Sequence, residues 1–415
     1  MDDVTGIEPQ SYGTDPALLE ELRGAWPPPE PPADEDGYVP ASVAGLRPAA
    51  AIRLSDRLGV ALASVDGTDR DKLSVAGLVR DARGGTWRVA VPGDGISALV
   101  AGVPMASERP IHVDQTHRSV VVGERAIVKW FREIGPGPSR AAIVIAHLAA
   151  VGFERMPRPL GSLIWRSPAG VELTVAQGDA FLIGARDGWE WCVERVAAGD
   201  GGRTGRELGE LVAHLHHALA GPSPVLPEPL SHGGPDEVDR WRGAAESTLD
   251  KALALTPGDE AAELRRWEIS MRSALGGVAA ANGVTIQPTH GDLHVGQVLE
   301  WSGGLAVIDF DGNPTLSDDA NMLQQPRERD VAQMLSSIDH VGRVVARRGG
   351  GSGAAERWIG DARAAFLDAI GPLDERLLGA FEVEQECREL VYAARFLPRW
   401  RYAPMATLRA RFGPG

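Results

Sequence analysis

The residues best equipped for chemistry are His290, Asp292 and Gln297, followed closely by Asp309 and Asp311. They sit in two runs, Thr289-His290-Gly291-Asp292-Leu293-His294 and Val307-Ile308-Asp309-Phe310-Asp311-Gly312. The first reads as a loop giving way to an apolar stretch, the second as the end of a strand at residues 305–308. Two carboxylates are thereby expected on adjacent backbone segments, with the Gln297 amide between them as a neutral oxygen donor. Phosphoryl transfer from a nucleotide asks for this set. One carboxylate orients an attacking hydroxyl and accepts its proton, while an amide oxygen and a second carboxylate hold Mg²⁺ on the phosphates. Either run alone is an ordinary turn or strand end. Both together, in this order and this close, point to that chemistry.

The elements that must position these groups follow from patterning. Short apolar runs at residues 50–53, 60–64, 73–80, 86–91 and 97–101, broken by Asp-Gly, Gly-Gly and Pro-Gly, predict a β-rich module without clustered chemistry. Residues 119–122 and 126–131 predict a hairpin turning at Gly123-Glu124. Further strands are expected at 160–165 and 171–176, and helices thereafter. A helix over 206–219 is predicted from Leu208, Leu211, Val212, Leu215 and Leu219. Its His214, His216 and His217 point to different faces, which favours packing or surface roles over a metal site. Residues 236–255 and 259–281 read as a charged helical pair near the substrate cleft. The proline-rich acidic stretch at 27–36 reads as a wrapped segment or linker.

At 415 residues the chain has room for two or three domains. Its net charge of −15 argues against a nucleic-acid or anionic-membrane surface. Cys192 and Cys387 are too few and too far apart for a disulfide scaffold or zinc site. The start lacks a signal-peptide pattern and no apolar run reaches membrane-span length, so a cytoplasmic location is expected.

The two runs resemble the catalytic loop and metal motif of the kinase-like phosphotransferases, which include aminoglycoside phosphotransferases, maltokinases and actinobacterial glucosamine kinases. The resemblance implies an α+β, bilobal protein-kinase-like fold. Residues 1–103 would form an N-terminal cap, 104–200 an N-lobe with a hinge near 174–179, and 201–415 a helical C-lobe. It implies ATP and Mg²⁺ as cofactors, Asp292 as catalytic aspartate with His290 as an orienting neighbour, and Gln297, Asp309 and Asp311 around the metal. Asp330 would brace the catalytic loop. Lys129 would contact the phosphates, and Ala176, Gln177 and Asp179 would border the adenine. Two departures stand out. No Gly-x-Gly-x-x-Gly precedes Lys129, so residues 135–139 or 115–118 would cover the phosphates instead. The helix at 140–151 also lacks a glutamate to pair with Lys129, leaving Glu133 or His147 as stand-ins.

The segment 184–191 resembles the one that follows the hinge in maltokinases. Where that family has a sugar-binding lysine and tyrosine before its counterpart of Tyr392, this chain has Gln385 and Arg388 among Glu382, Glu384 and Glu389. Carboxylates there would suit an ammonium group. The resemblance to the glucosamine kinases therefore implies glucosamine as acceptor, attacked through its C6 hydroxyl. Glu384 and Glu389 would meet the amine, and His294 and Trp400 the ring. Maltokinase, aminoglycoside phosphotransferase and a non-catalytic pseudokinase are the alternatives. A monomer is assumed.

Overall fold

The computed structural model describes residues 10–31, 41–69, 72–80, 85–111, 117–135, 139–313, 324–349 and 351–413. Residues 112–116 and 136–138, within the stretches considered for covering the phosphates, lie outside these, as do 32–36 of the proline-rich stretch. The chain divides into two compact units, Met1–Ala149 with Pro157–Ile183, and Ala150–Met156 with Gly184–Gly415.

The first unit is built from two sheets. One orders Arg47–Arg53, Leu58–Ser64, Leu73–Arg80 and Trp87–Val89 antiparallel, with Glu133–Ile134 added to the third strand. The other orders Gln10–Tyr12, Pro159–Arg166, Glu172–Ala180, Ala126–Trp130, Arg118–Val122 and Glu108–Pro110. Alternation decides the faces: Ala126, Val128 and Trp130 are buried, while Ile127 and Lys129 point the other way. At the hairpin tip, between the paired Val122 and Ala126, Gly123 (φ 57°) and Glu124 (φ 51°) are both left-handed, which suits the twist of the strands. Ile52, Leu62 and Val75 share one core with Val128, Trp130, Leu163 and Val175. The strands Arg47–Arg53, Leu58–Ser64 and Leu73–Arg80, within the stretch set apart in the sequence reading, thus bury apolar side chains against the strands that follow.

One local expectation is corrected. Residues 97–101 are not a strand but lie on the short helix Ile96–Val100. A short apolar run carries no decisive period. The deciding contact is remote, since the Glu108 carboxylate accepts from the N–H groups of Gly93, Gly95 and Ala98 at 2.8, 3.1 and 2.7 Å. Residues 174–179, the stretch expected to form a hinge, lie on the strand Glu172–Ala180, with residues 176–179 paired on both sides. The division between units falls after Ile183.

The second unit is mainly helical. Its helix Glu328–Arg347 is buried along most of its length and packs against Glu375–Arg395, Ser352–Ile370 and Tyr402–Phe412. The helices Gly201–Ala220 and Ser352–Ile370 approach very closely because Gly201, Gly205 and Gly209 form a stripe at four-residue spacing. A Cβ at Gly205 would fall 1.9 Å from the Ala362 carbonyl oxygen. The charged pair predicted at 236–255 and 259–281 appears as Pro235–Leu255 and Gly258–Leu275, followed by a 3₁₀ turn. Its apolar stripe, including Leu249, Leu264 and Met271, packs on Val383, Cys387 and Leu390. Among the described residues no helix is long and apolar enough to cross a membrane.

Candidate active site

The loop carrying Asp292 has few backbone bonds of its own, so its polar groups must be satisfied from elsewhere. One helix face does this. Asp330, Gln333 and Ser337 recur at helical spacing on Glu328–Arg347 and point at the loop. The Asp330 carboxylate accepts from the N–H groups of His290 (2.7 Å) and Gly291 (2.9 Å) and from His216 Nε2 (3.1 Å). Burial acts to raise its pKa, but the His216 hydrogen bond and the other nearby donors outweigh this and hold it below the carboxylate range. Gln333 accepts from Leu293 N–H and donates to the Gly291 carbonyl, and Ser337 accepts from Val295 N–H. Gln333 and Ser337 escaped the sequence reading, and His216, read there as a packing or surface residue, is buried against the bracing carboxylate. The i, i+3, i+7 polar stripe on an otherwise buried helix was the signal available for the first two.

His290 ties the two motif segments together. Its Nε2 donates to the Ile308 carbonyl at 2.9 Å, which fixes the tautomer and leaves Nδ1 to accept from Asp292 N–H at 3.3 Å. A ring committed in this way orients the loop. Leu293 and Val295 anchor it in the core.

The helix Gly188–Ala198 abuts the same loop. Its first residue admits no side chain, since a Cβ on Gly188 would fall 1.7 Å from the Val295 carbonyl oxygen. Gly188→Ala is therefore expected to cost about 2–3 kcal/mol through overpacking. It should also reduce turnover by displacing residues 295–298, with thermal unfolding and steady-state kinetics as the readouts.

A short hairpin, Val298–Trp301 with Gly304–Val307, holds the second motif in register. At its open end Ile308 N–H donates to the Gln297 carbonyl at 2.9 Å. Asp309 follows in a left-handed conformation (φ 64°), an uncommon one for a non-glycine residue. It is exposed, and its Oδ2 lies 3.4 Å from the Gln297 amide nitrogen. Mg²⁺ takes oxygen ligands from one or two carboxylates together with phosphates and water. A carboxylate and an amide at this separation fit it once the amide turns its oxygen forward. Asp311, half-buried, follows Phe310, whose ring lies 5.2 Å from that of His290.

Asp292 is the perturbed acid of the site. Desolvation, then the charges of Asp309 and Glu389, push its pKa up to about 7, against a smaller pull from Arg388. His294 Nδ1 accepts from Gly296 N–H, so Nε2 carries the proton and faces Asp292 Oδ2 across 4.0 Å. Burial lowers its pKa and keeps it neutral near pH 7.

The two glutamates expected to face an amine differ sharply. Glu384 is 1% exposed, bonded to Arg329 (3.0 Å) and Arg388 (3.0 Å). Burial would raise its pKa, but the two guanidinium groups hold it low. It is a neutralised structural carboxylate, correcting the sequence reading. Glu389 accepts from Gln385 Nε2 (3.1 Å) and Trp400 Nε1 (2.8 Å), and no cation pairs with it among the described residues. Trp400 meets Trp189 and His340 edge to face at 5.7 and 5.3 Å. Behind it, His340 is ion-paired to Glu386 at 2.9 Å. Burial works to lower the His340 pKa, but Glu386 prevails and pushes it up to about 9. In the first unit, Lys129 stands opposite Ser119 and Gln177, and Ala176 and Gln177 are buried while Asp179 is half-buried.

The arrangement can position a hydroxyl for attack. The class it defines is the ATP-dependent phosphotransferase of the kinase-like α+β fold. Comparison with known proteins narrows this. The chain is 37% identical over 377 residues to the glucosamine kinase of Streptacidiphilus jiangxiensis, covering 80% of this chain and 84% of that protein. It is 34% identical over 380 residues to the glucosamine kinase of Mycolicibacterium smegmatis (strain ATCC 700084 / mc(2)155), covering 81% and 92%. A solved glucosamine kinase in complex with glucosamine, ADP and inorganic phosphate matches with a TM-score of 0.75 at 34% identity, over 90% of this chain and 94% of that one. A glucosamine kinase in another crystal form matches with a TM-score of 0.79, over 96% and 98%. A scan against protein-family models finds no match. The chain belongs to the glucosamine kinase family.

Proposed function

We propose that this chain transfers the γ-phosphoryl group of ATP to the C6 hydroxyl of glucosamine. The observation that carries the acceptor is the charge balance of the helix Glu375–Arg395. Glu384 is ion-paired with two arginines, whereas Glu389 accepts from two neutral donors and meets no cation among the described residues. Each of its oxygens retains a lone pair for an ammonium group. The solved relative that holds glucosamine and ADP supports the reading.

Asp292 orients the hydroxyl and receives its proton, His294 offers its Nε2–H beside it, and Trp400 borders the ring. Gln297 and Asp309 would hold Mg²⁺, with Asp311 in its surroundings. That ion supplies neutralisation of phosphate charge when bound. Lys129 is carried as a phosphate contact, and Ala176, Gln177 and Asp179 as adenine neighbours, by the resemblance. Asp292 serves mainly by positioning, because phosphoryl transfer leaves little covalent work to the protein.

The test is ATP consumption against glucosamine, glucose, N-acetylglucosamine, maltose and kanamycin. Turnover with glucosamine alone is expected; preference for maltose or kanamycin would overturn the acceptor. Glu389→Gln keeps both neutral hydrogen bonds within reach but removes the charge. It should raise the KM for glucosamine about 10- to 100-fold, the worth of a charge-assisted bond.

A further inference from the structure

We propose that the second unit carries a separate site for a small molecule bearing a phosphate group, coupled to the nucleotide through the metal-side hairpin. A cavity of about 530 Å³ opens at the turn end of that hairpin, a volume suited to a small ligand. Arg155, Arg186, Arg195 and Arg203 line it, against two carboxylates, Glu207 and Glu300. Glu194 and Asp200 also reach the Arg186 and Arg203 guanidinium groups, so the charges balance and what is left over is hydrogen-bond donors.

The internal pairing leaves defined donors over. Glu300 takes Arg186 and Arg195 at 2.6 and 2.7 Å, and Glu207 takes Arg195 and Arg203 at 2.6 and 2.8 Å. Arg186 also reaches Glu194. Arg155 spends only its Nε, on the Leu305 carbonyl at 3.0 Å. Both its terminal nitrogens, and Nη2 of Arg203, have no acceptor among the described residues. Guanidinium groups with spare paired donors recognise phosphate oxygens. Trp301 adds an aromatic wall. Its ring packs so tightly on the turn that a Cβ at Gly303 would lie 2.3 Å from it.

The hairpin gives the site its reach. At one end Glu300, Trp301 and Leu305 line the cavity; at the other the same two strands run into Gln297 and Asp309. Arg155 grips this backbone twice, since its carbonyl also accepts from Val307 N–H at 2.8 Å. A ligand that draws on the Arg155 guanidinium therefore pulls on the strand that presents Asp309. Coupling of this kind must be reciprocal. The inference uses the family's nucleotide chemistry and is independent of which sugar is the acceptor.

The experiment is isothermal titration of inorganic phosphate, and separately of AMP, into the full chain saturated with ADP. One further equivalent of each should bind, AMP more tightly through stacking on Trp301. Arg203→Gln, at a largely exposed residue, should weaken both, and Arg155→Gln combined with it should weaken them about tenfold or more. Trp301→Ala should bring AMP down to the affinity of phosphate. ADP affinity measured with and without saturating phosphate should differ about fivefold or more. Absence of binding, AMP that binds only by displacing ADP, or affinities unchanged in the double variant would overturn the site. An ADP affinity indifferent to phosphate would overturn the coupling.

Discussion

Replacing Asp292 with asparagine should lower kcat by about 10²- to 10⁴-fold, the range for loss of a positioned general base, while nucleotide binding persists. The amide can still accept from the hydroxyl but cannot take its proton, so the loss should appear in kcat more than in KM. A coupled ATP-consumption assay, with nucleotide affinity measured in parallel, checks this. Normal turnover by the variant would remove Asp292 from its role.

The same carboxyl sets the pH behaviour. Its pKa in the free chain is about 7, raised by burial first and by Asp309 and Glu389 next. Because the base must be ionised, kcat/KM should rise with pH through about 7. A cation held on Asp309 in the loaded complex would cancel much of that carboxylate's repulsion, so the limb in kcat should then lie lower. The sign for stability is the reverse. The folded chain holds this proton more tightly than the unfolded one, whose aspartate titrates near 3.8. The contribution is therefore fully present below about pH 4 and lost as pH rises through 7. Asp292→Asn should flatten that part of the stability profile of the ligand-free chain, followed by thermal unfolding between pH 4 and 8.

The second large effect is expected at Asp330. Its buried carboxylate accepts from two loop N–H groups and from His216. Asp330→Ala would leave all three donors buried without an acceptor, at a cost of about 3–5 kcal/mol. Thermal unfolding should shift strongly downward and activity should fall with it. Asp330→Asn, which can satisfy only part of the set, should fall between. The intermediate variant matters most, because its residual fold allows kcat to be read. A reduced kcat at unchanged nucleotide affinity would show that the loop is mispositioned rather than unfolded.

Much of this was legible in the sequence because the information is local. Asp292, Gln297 and Asp309 are held by short backbone segments, a loop and a tight hairpin, so their order and spacing already confine them to one neighbourhood. The Gly123-Glu124 turn and the Lys129 strand follow from the two-residue period in the same way. What failed did so where remote contacts decide. Residues 97–101 became a helix because Glu108 supplies its N-terminal acceptor.

The glutamates mark the division most clearly. Both stand on the same helix, and composition alone made them equivalent counter-ions. Tertiary packing brings Arg329, from a helix far earlier in the chain, against Glu384 and leaves Glu389 to Gln385 and Trp400. The sequence by itself determined the reaction class, because motif chemistry depends on residue type and short spacing. Only the tertiary structure decided which carboxylate meets a remote cation and which helix face braces the loop. Those depend on partners 40 or more residues away, and burial makes each such pairing decisive.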